Sequence, residues 1–358
     1  MFRPVPGCQI DCSDRHAHTP TRAMRSTIEV ARVPALARGT LPRARARRCA
    51  RVRADASRST APSTMGLEKI LNFRDLADAG GALVPGRVFR TATPGGASEF
   101  DAETVLGRLG VRALLDLRSD DEFEPDPGLV QDAFEIRAFN RGEDADASFA
   151  EWSRAVGADA AARRLVRYHT PLLDYDRYYA EIFRRMGKWE KVKAVAFSAQ
   201  AKLVDPTNQR RLFVGKVNDG GLYLLNEVML DSSGPEIRAA LEVMSNVTED
   251  APLAFYCKAG KDRTGIVAAL ALHCCGVSED DIVADYHRSD TAGSSALGGG
   301  KIERGLSIDY SKFRGAPKEV MEHALEHARR KHGSVDGYLD SIGFDSDARY
   351  RLARALCS

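Results

Sequence analysis

The strongest constraint on the fold is an apolar strand joined to an apolar helix by a short charged loop. Pro252 to Tyr256 is an uninterrupted apolar run that suits a strand covered on both faces, as in parallel sheets. Thr264 to His273 is apolar on most sides, which predicts a buried helix closed at Gly276. Between them, Lys258, Lys261, Asp262 and Arg263 carry the charge. A buried strand feeding a buried helix calls for a layered α/β architecture in which helices cover a sheet.

The chain after Met65 repeats this alternation. Val88 to Arg90 and Val111 to Leu117 read as strands; Glu99 to Leu109 and Asp174 to Met186 read as helices. Ser233-Gly234-Pro235 predicts a helix start, with Ser233 as cap, running to Met244. Ser278 to Asp281 opens another helix with a capping box, and Ala316-Pro317 starts a further one that ends at Gly333 after Arg329, Arg330 and Lys331. Alternation at Ala194 to Phe197 and Leu212 to Val214 suggests a hairpin. Gly298-Gly299-Gly300-Lys301 has Ile302 where a phosphate loop needs Ser or Thr for magnesium, so a flexible surface loop is expected there.

The net charge of +2 over 358 residues hides an asymmetry. Residues 1–64 hold thirteen arginines, no lysine and four acids, a net of +9; the remaining 39 bases and 46 acids carry −7. An Arg-rich, Ser-containing, acid-poor segment without an apolar stretch has the composition of an organelle transit peptide. Val52-Arg53-Ala54 resembles the cleavage context of algal plastid import. The expected organisation is therefore a disordered transit peptide over 1–64, read by organelle import machinery, and a catalytic domain over 65–358. The expected address is the chloroplast, with the mitochondrion as alternative, or the cytoplasm if translation starts at Met65. Cys8, Cys12 and Cys49 fall in the first segment and are given no chemistry. Seven cysteines without a C-x-x-C pair exclude a disulfide scaffold and a zinc ribbon. No run of about 18 apolar residues is present, so no transmembrane helix is expected. Neither a metal, another cofactor nor a nucleic-acid partner is expected.

Chemistry concentrates in Cys257-Lys258-Ala259-Gly260-Lys261-Asp262-Arg263-Thr264-Gly265. A loop that curls at a helix amino terminus turns backbone N–H groups inward, and the helix dipole adds positive potential, so the loop suits an oxyanion. Gly260 allows the tight turn. The planar fork of Arg263 can bind two phosphate oxygens, which Lys cannot do. Cysteines at helix amino termini beside cations become thiolates and nucleophiles, which assigns Cys257 the attack. Thr264 can donate its hydroxyl to the sulfur. Lys258, Ala259, Gly260 and Lys261 are expected to bind substrate. Cys274 and Cys275, at the far end of the helix, are expected to pack.

These residues resemble the signature of the cysteine-dependent protein tyrosine and dual-specificity phosphatases. The Gly-Lys-Asp-Arg-Thr-Gly wording is similar to the tyrosine/serine branch that includes secreted bacterial enzymes acting on phosphotyrosine and phosphoinositides. Asn72-Phe73-Arg74-Asp75-Leu76, Arg87 to Thr91, Leu115 to Ser119 with Glu122, Asp285-Tyr286, and Tyr338-Leu339 with Ile342-Gly343 resemble further motifs of that branch. The resemblance covers Leu71 to Leu356. It implies a mostly parallel central sheet flanked by helices, with the loop at its carboxyl edge. It also implies that Asp262 is the general acid, with a structural brace as the competing role and Asp116, Asp120 and Asp174 in reserve. Arg74, Asp75, Arg90 and Arg118 are expected to form buried ion pairs that hold the loop. Two features depart from the branch. Tyr256 stands where it usually has His, and the stretch from Lys188 to Gly221 matches poorly, as an insertion or lid would.

The expected function is a metal-independent phosphomonoesterase acting on phosphotyrosine protein through a phosphocysteine. A phosphoinositide substrate is the alternative, because Lys258 and Lys261 would place two cations at the rim. A catalytically weak phospho-ligand binding module and a rhodanese-like or arsenate-reducing thiol enzyme compete from other classes.

Overall fold

The apolar run before Cys257 is a central strand of a six-stranded sheet. In the computed structural model, which describes residues 66–123, 128, 130–142, 144–201, 207–290 and 308–358, the strands are β1 (Arg74–Asp75), β2 (Val88–Thr91), β3 (Ala113–Asp116), β4 (Glu135–Ala138), β5 (Val166–His169) and β6 (Leu253–Tyr256). The expectations for residues 1–64 and for Gly298 to Lys301 lie outside the described residues. The strand order is β1-β2-β6-β3-β5-β4, and every pair is parallel except β1 with β2. This is the α/β, mostly parallel sheet expected.

Strand registers align Thr91, Tyr256, Asp116 and His169 in one row at the carboxyl edge. That edge is where open parallel sheets bind ligands. All four positions of β2, β5 and β6 are buried. The two-residue period of β6 then sorts its side chains. Leu253, Phe255 and Cys257 join the larger core, while Ala254 and Tyr256 join a smaller one with Phe73, Phe89, Val105 and Leu114.

Eleven helices are described: α1 (Glu99–Ala102), α2 (Ala145–Ala161), α3 (Tyr175–Arg185), α4 (Lys188–Ala201), α5 (Thr207–Ser232), α6 (Gly234–Met244), α7 (Asp262–Cys274), α8 (Glu279–His287), α9 (Lys318–His332), α10 (Val335–Ser341) and α11 (Ser346–Cys357). Wider turns carry α1 on to Arg108, covering most of the predicted helix. Ser278 caps α8 by accepting from the Asp281 N–H, and Gly333 ends α9 with φ 81°. In α7 every residue from Thr264 to Leu272 is buried, so no polar face exists and the helix is enclosed by its neighbours.

The structure corrects three expectations. Residues 194–197 and 212–214 lie in α4 and α5, not in a hairpin. The burial pattern explains this: Ala194 is buried while Val192, Val195 and Ala196 are exposed, which is a helical and not a two-residue period. Tertiary packing selects it, because α3, α4 and α5 enclose a separate small core around Tyr178, Ile182, Ala194 and Val217. Ser233 occupies the N-cap position of α6 as expected, but its side chain does not cap the helix; the hydroxyl donates to the Leu172 carbonyl (3.0 Å). Asp75 forms no ion pair among the described residues and instead accepts from the Ala77 and Gly86 N–H groups (2.9 and 2.5 Å), closing a turn.

Phe255 is fully buried at the centre of β6. Phe255→Ala should cost about 3–5 kcal/mol through lost burial and a residual cavity. Urea unfolding monitored by circular dichroism measures it.

Candidate active site

β6 delivers Cys257 to the carboxyl edge with 2% of its surface exposed, and the chain then curls through Lys258 to Lys261 into the amino terminus of α7. The curl is held from outside, carbonyl by carbonyl. The Thr93 N–H donates to the Lys258 carbonyl (3.2 Å). Asn72 Nδ2 donates to the carbonyls of Ala259 (3.2 Å) and Gly260 (2.9 Å), and Arg90 Nη2 adds a bond to Gly260 (3.0 Å). The Lys261 carbonyl accepts from the Gly265 N–H (2.6 Å) within the first turn of α7. In a planar trans peptide the N–H points opposite to the C=O. Tying these four carbonyls outward therefore turns the N–H groups of Ala259, Gly260, Lys261 and Asp262 toward the inside of the loop, an anion-binding nest at a helix amino terminus.

Gly260 is required twice. Its φ is +65°, and a Cβ there would lie 2.3 Å from the Thr91 carbonyl oxygen. The loop can approach β2 this closely only without a side chain.

Behind the loop, Asp285 organises three arginines. It pairs with Arg74 Nε (3.0 Å), with Arg90 Nη1 and with Arg288 Nη2 (2.9 Å), and Arg90 and Asp285 are both essentially sealed from solvent. Burial alone would raise the Asp285 pKa. The fields of Arg90, Arg74 and Arg288 outweigh it and hold the carboxyl at about 2. Burial, then repulsion from Arg90, brings Arg74 down to about 10. Arg74 Nη1 donates to Asn72 Oδ1, so Asp285 reaches the Gly260 carbonyl by two routes, directly through Arg90 and through Arg74 and Asn72.

Arg263 is oriented by a carboxylate. Its Nη1 and Nη2 both donate to Glu122, the latter at 3.1 Å. Glu122 also accepts from the Ser119 N–H and hydroxyl, each at 3.2 Å. Burial opposes the Arg263 charge, but Cys257 and Glu122 more than compensate and raise its pKa. A guanidinium has five N–H donors, so the grip on Glu122 leaves three for an oxyanion. Thr264 is fully buried, and its hydroxyl has no partner among the described residues. A family model described as "Tyrosine phosphatase family" matches residues 65–358. The chain belongs to the tyrosine phosphatase family. Among its relatives, a "Triple specificity protein phosphatase PtpB" of Mycobacterium tuberculosis is 27% identical over 301 residues, 80% of this chain and 96% of that protein. A candidate tyrosine-protein phosphatase of Cupriavidus necator is 28% identical over 295 residues, 78% of this chain and 85% of its own length. A "Tyrosine-protein phosphatase" of Nostoc commune is 30% identical over 126 residues, 32% of this chain and 42% of its own. The chain is a hydrolase of the protein tyrosine or dual-specificity phosphatase type.

Within this phosphatase the structure separates the two loop lysines. Lys258 is exposed. Lys261 is not at the rim, contrary to the sequence expectation. It is 1% exposed, and its ammonium donates to the carbonyls of Phe313 and Gly315, both at 2.6 Å. A buried ammonium needs such partners, and here it ties the 310–315 turn to the loop. Asp262 accepts from the Tyr286 hydroxyl (3.1 Å) and lies 3.6 Å from Lys261 Nζ. Burial, then Asp262, pushes the Tyr286 phenol up, so it stays protonated and donates. Of the reserve acids, Asp116 is fully buried and clamped by Arg118 (2.9 Å) and Arg167 (2.6 Å). Burial would raise its pKa, but the two arginines prevail and keep it ionised, which removes it as a proton donor. Asp120 is largely exposed beside His169 Nδ1 (3.8 Å), and Asp174 caps α3 through the Arg177 N–H (2.9 Å). Arg118 forms the expected buried ion pair, with Asp116 at the sheet edge.

Tyr256 points away from Cys257, as strand alternation demands, with Arg118 5.7 Å from its ring centre. Burial and the charge of Asp116 hold its phenol protonated. Three residues had no role assigned from sequence: Asn72, which turns the loop, Glu122, which aims Arg263, and Asp285, which organises the arginines behind the loop. All three stand in the motifs named above, each a polar side chain a few residues from an arginine.

Asp285 titrates near 2 in the folded chain against an ordinary 3.8, so its contribution to stability is complete above pH 3.8 and is lost as pH falls through 2. That contribution is about 2 kcal/mol. Asp285→Asn should lower stability at neutral pH by about 3–5 kcal/mol, since the buried Arg74 and Arg90 and the half-buried Arg288 lose their counter-charge. The gap from wild type should narrow by about 2 kcal/mol between pH 4 and pH 2. Denaturant midpoints across that range measure both.

Proposed function

We propose that the enzyme hydrolyses phosphomonoesters through a covalent phosphocysteine at Cys257, with protein phosphotyrosine as its first substrate class. One observation carries this: the peptide groups from Lys258 to Asp262 are oriented with carbonyls bound outward and N–H groups turned in, around the Cys257 sulfur and the Arg263 fork. This ring places fixed positive potential where the charge of a transferring phosphoryl group develops.

In the first step the Cys257 thiolate attacks phosphorus. An S–P bond forms, the ester P–O bond breaks, and the leaving oxygen takes the electron pair and a proton from Asp262. In the second step water attacks phosphorus and gives its proton back to Asp262, and the S–P bond breaks. Thr264 then stabilises the departing thiolate through its buried hydroxyl. Tyr286 and Lys261 fix the Asp262 carboxyl in place beside the loop. Lys258 is the exposed loop cation that suits an additional phosphate, which supports a phosphoinositide as second substrate class. The Mycobacterium relative's name, with its triple specificity, agrees with a range wider than phosphotyrosine. The composition of residues 1–64 supports delivery to a plastid by import machinery.

Cys257→Ser should abolish turnover while preserving phosphate binding, and Arg263→Lys should lose about a thousandfold in kcat, on the order of 4 kcal/mol. Near-normal rates in either variant refute the mechanism. Asp262→Asn separates acid from brace. A donor role predicts a large loss on an alkyl phosphate and a small one on a nitrophenyl ester, whose leaving group needs no proton. Equal losses on the two esters assign Asp262 to bracing.

A further inference from the structure

We propose that the outward face of α4 docks on an anionic lipid bilayer. Trp189 is 80% exposed, Val192 58% and Val195 61%. No other large hydrophobic of the described residues is as open as Trp189. Together with the exposed Ala196, these residues form one stripe along the helix, because positions three, four and seven apart share a face. Exposed Lys188 borders the stripe on one side and exposed Lys193 on the other. The acid of this segment, Glu190, lies on the flank toward α5, bound to Lys216 at 2.9 Å.

The occupant follows from this chemistry. A convex helix with an apolar ridge between cations offers no groove for a peptide, but it matches a flat anionic interface. Indole sits at headgroup depth there, aliphatic side chains enter the acyl boundary and lysines meet lipid charge. The support of α4 also leads to the catalytic loop. The small core beneath α4 includes Phe313, whose carbonyl accepts from Lys261. Docking would therefore anchor the body that holds the loop beside lipid-borne phosphate. That consequence rests on the phosphatase mechanism above; bilayer binding itself does not.

The chain reports on its own docking. It has two tryptophans, and Trp152 is buried with its indole N–H bonded to the Ala239 carbonyl (3.1 Å). Residues 1–64 contain none, so their positive charge can bind vesicles without moving the signal. Titration of the full chain with phosphatidylglycerol vesicles should blue-shift Trp189 emission, and brominated acyl chains should quench it. Phosphatidylcholine vesicles should do neither. Val192→Asp should remove the shift while leaving aryl phosphate turnover in solution unchanged. A Lys188→Ala, Lys193→Ala double variant should raise the lipid needed for half-effect by roughly tenfold or more. Absence of shift and quenching with anionic vesicles overturns the proposal, as does an equal response to neutral ones. A blue shift that grows with protein concentration in the absence of lipid also overturns it, because a second copy then covers the face. Aryl phosphate turnover in the same samples tests the catalytic mechanism separately.

Discussion

The buried carboxylate of Asp285 is the interaction on which the site depends. Two arginines that would repel each other, Arg74 and Arg90, can share the interior only because this acid lies between them. Each then passes one donor toward the loop, Arg90 directly and Arg74 through Asn72, and both routes end on the Gly260 carbonyl. The result is directional. Holding a carbonyl outward turns the next N–H inward, so an ion pair on the far side of the loop sets the field on its near side. Removing the acid would strand buried charge, but desolvation offsets much of what the intact pairs return, so their main consequence is positioning.

A second carboxylate does for the side chain what Asp285 does for the backbone. Glu122 takes two nitrogens of Arg263 and is itself fixed by Ser119. Asp116, in the same segment, binds Arg118 and Arg167 beneath the sheet edge. The two acids differ in consequence. Glu122 leaves donors of Arg263 available, whereas Asp116 is enclosed by its arginines and braces the row of strand ends.

Much of this was legible in the chain, because the informative signals are local. The run at Pro252 to Tyr256, the enclosed helix after it and the Cys-x5-Arg spacing all lie within about twenty residues, and together they predict strand, loop and helix in the order found. Caps and terminators such as Ser278 and Gly333 are equally local. The stretches 194–197 and 212–214 are helical although they suggest a hairpin, because short apolar alternation cannot distinguish strand from helix until a partner selects one face. The strands at 135–138 and 166–169 also carried little signal, since Arg167 and His169 are buried polar residues made tolerable only by distant partners.

The sequence by itself determined the reacting groups: a cysteine at the end of a buried strand, an arginine six residues on, and a glycine where the chain must turn. Their chemistry and spacing are covalent facts that any fold must respect. Tertiary structure decided how the charges are used. Lys258 and Lys261 are alike in sequence, yet one faces solvent and the other is sealed against the Phe313 and Gly315 carbonyls. Arg74, Arg90, Asn72 and Asp285 are up to 213 residues apart, and only packing brings them to one carbonyl. The physical reason is that a charge acts through distance and burial, and neither is defined until the chain has closed on itself.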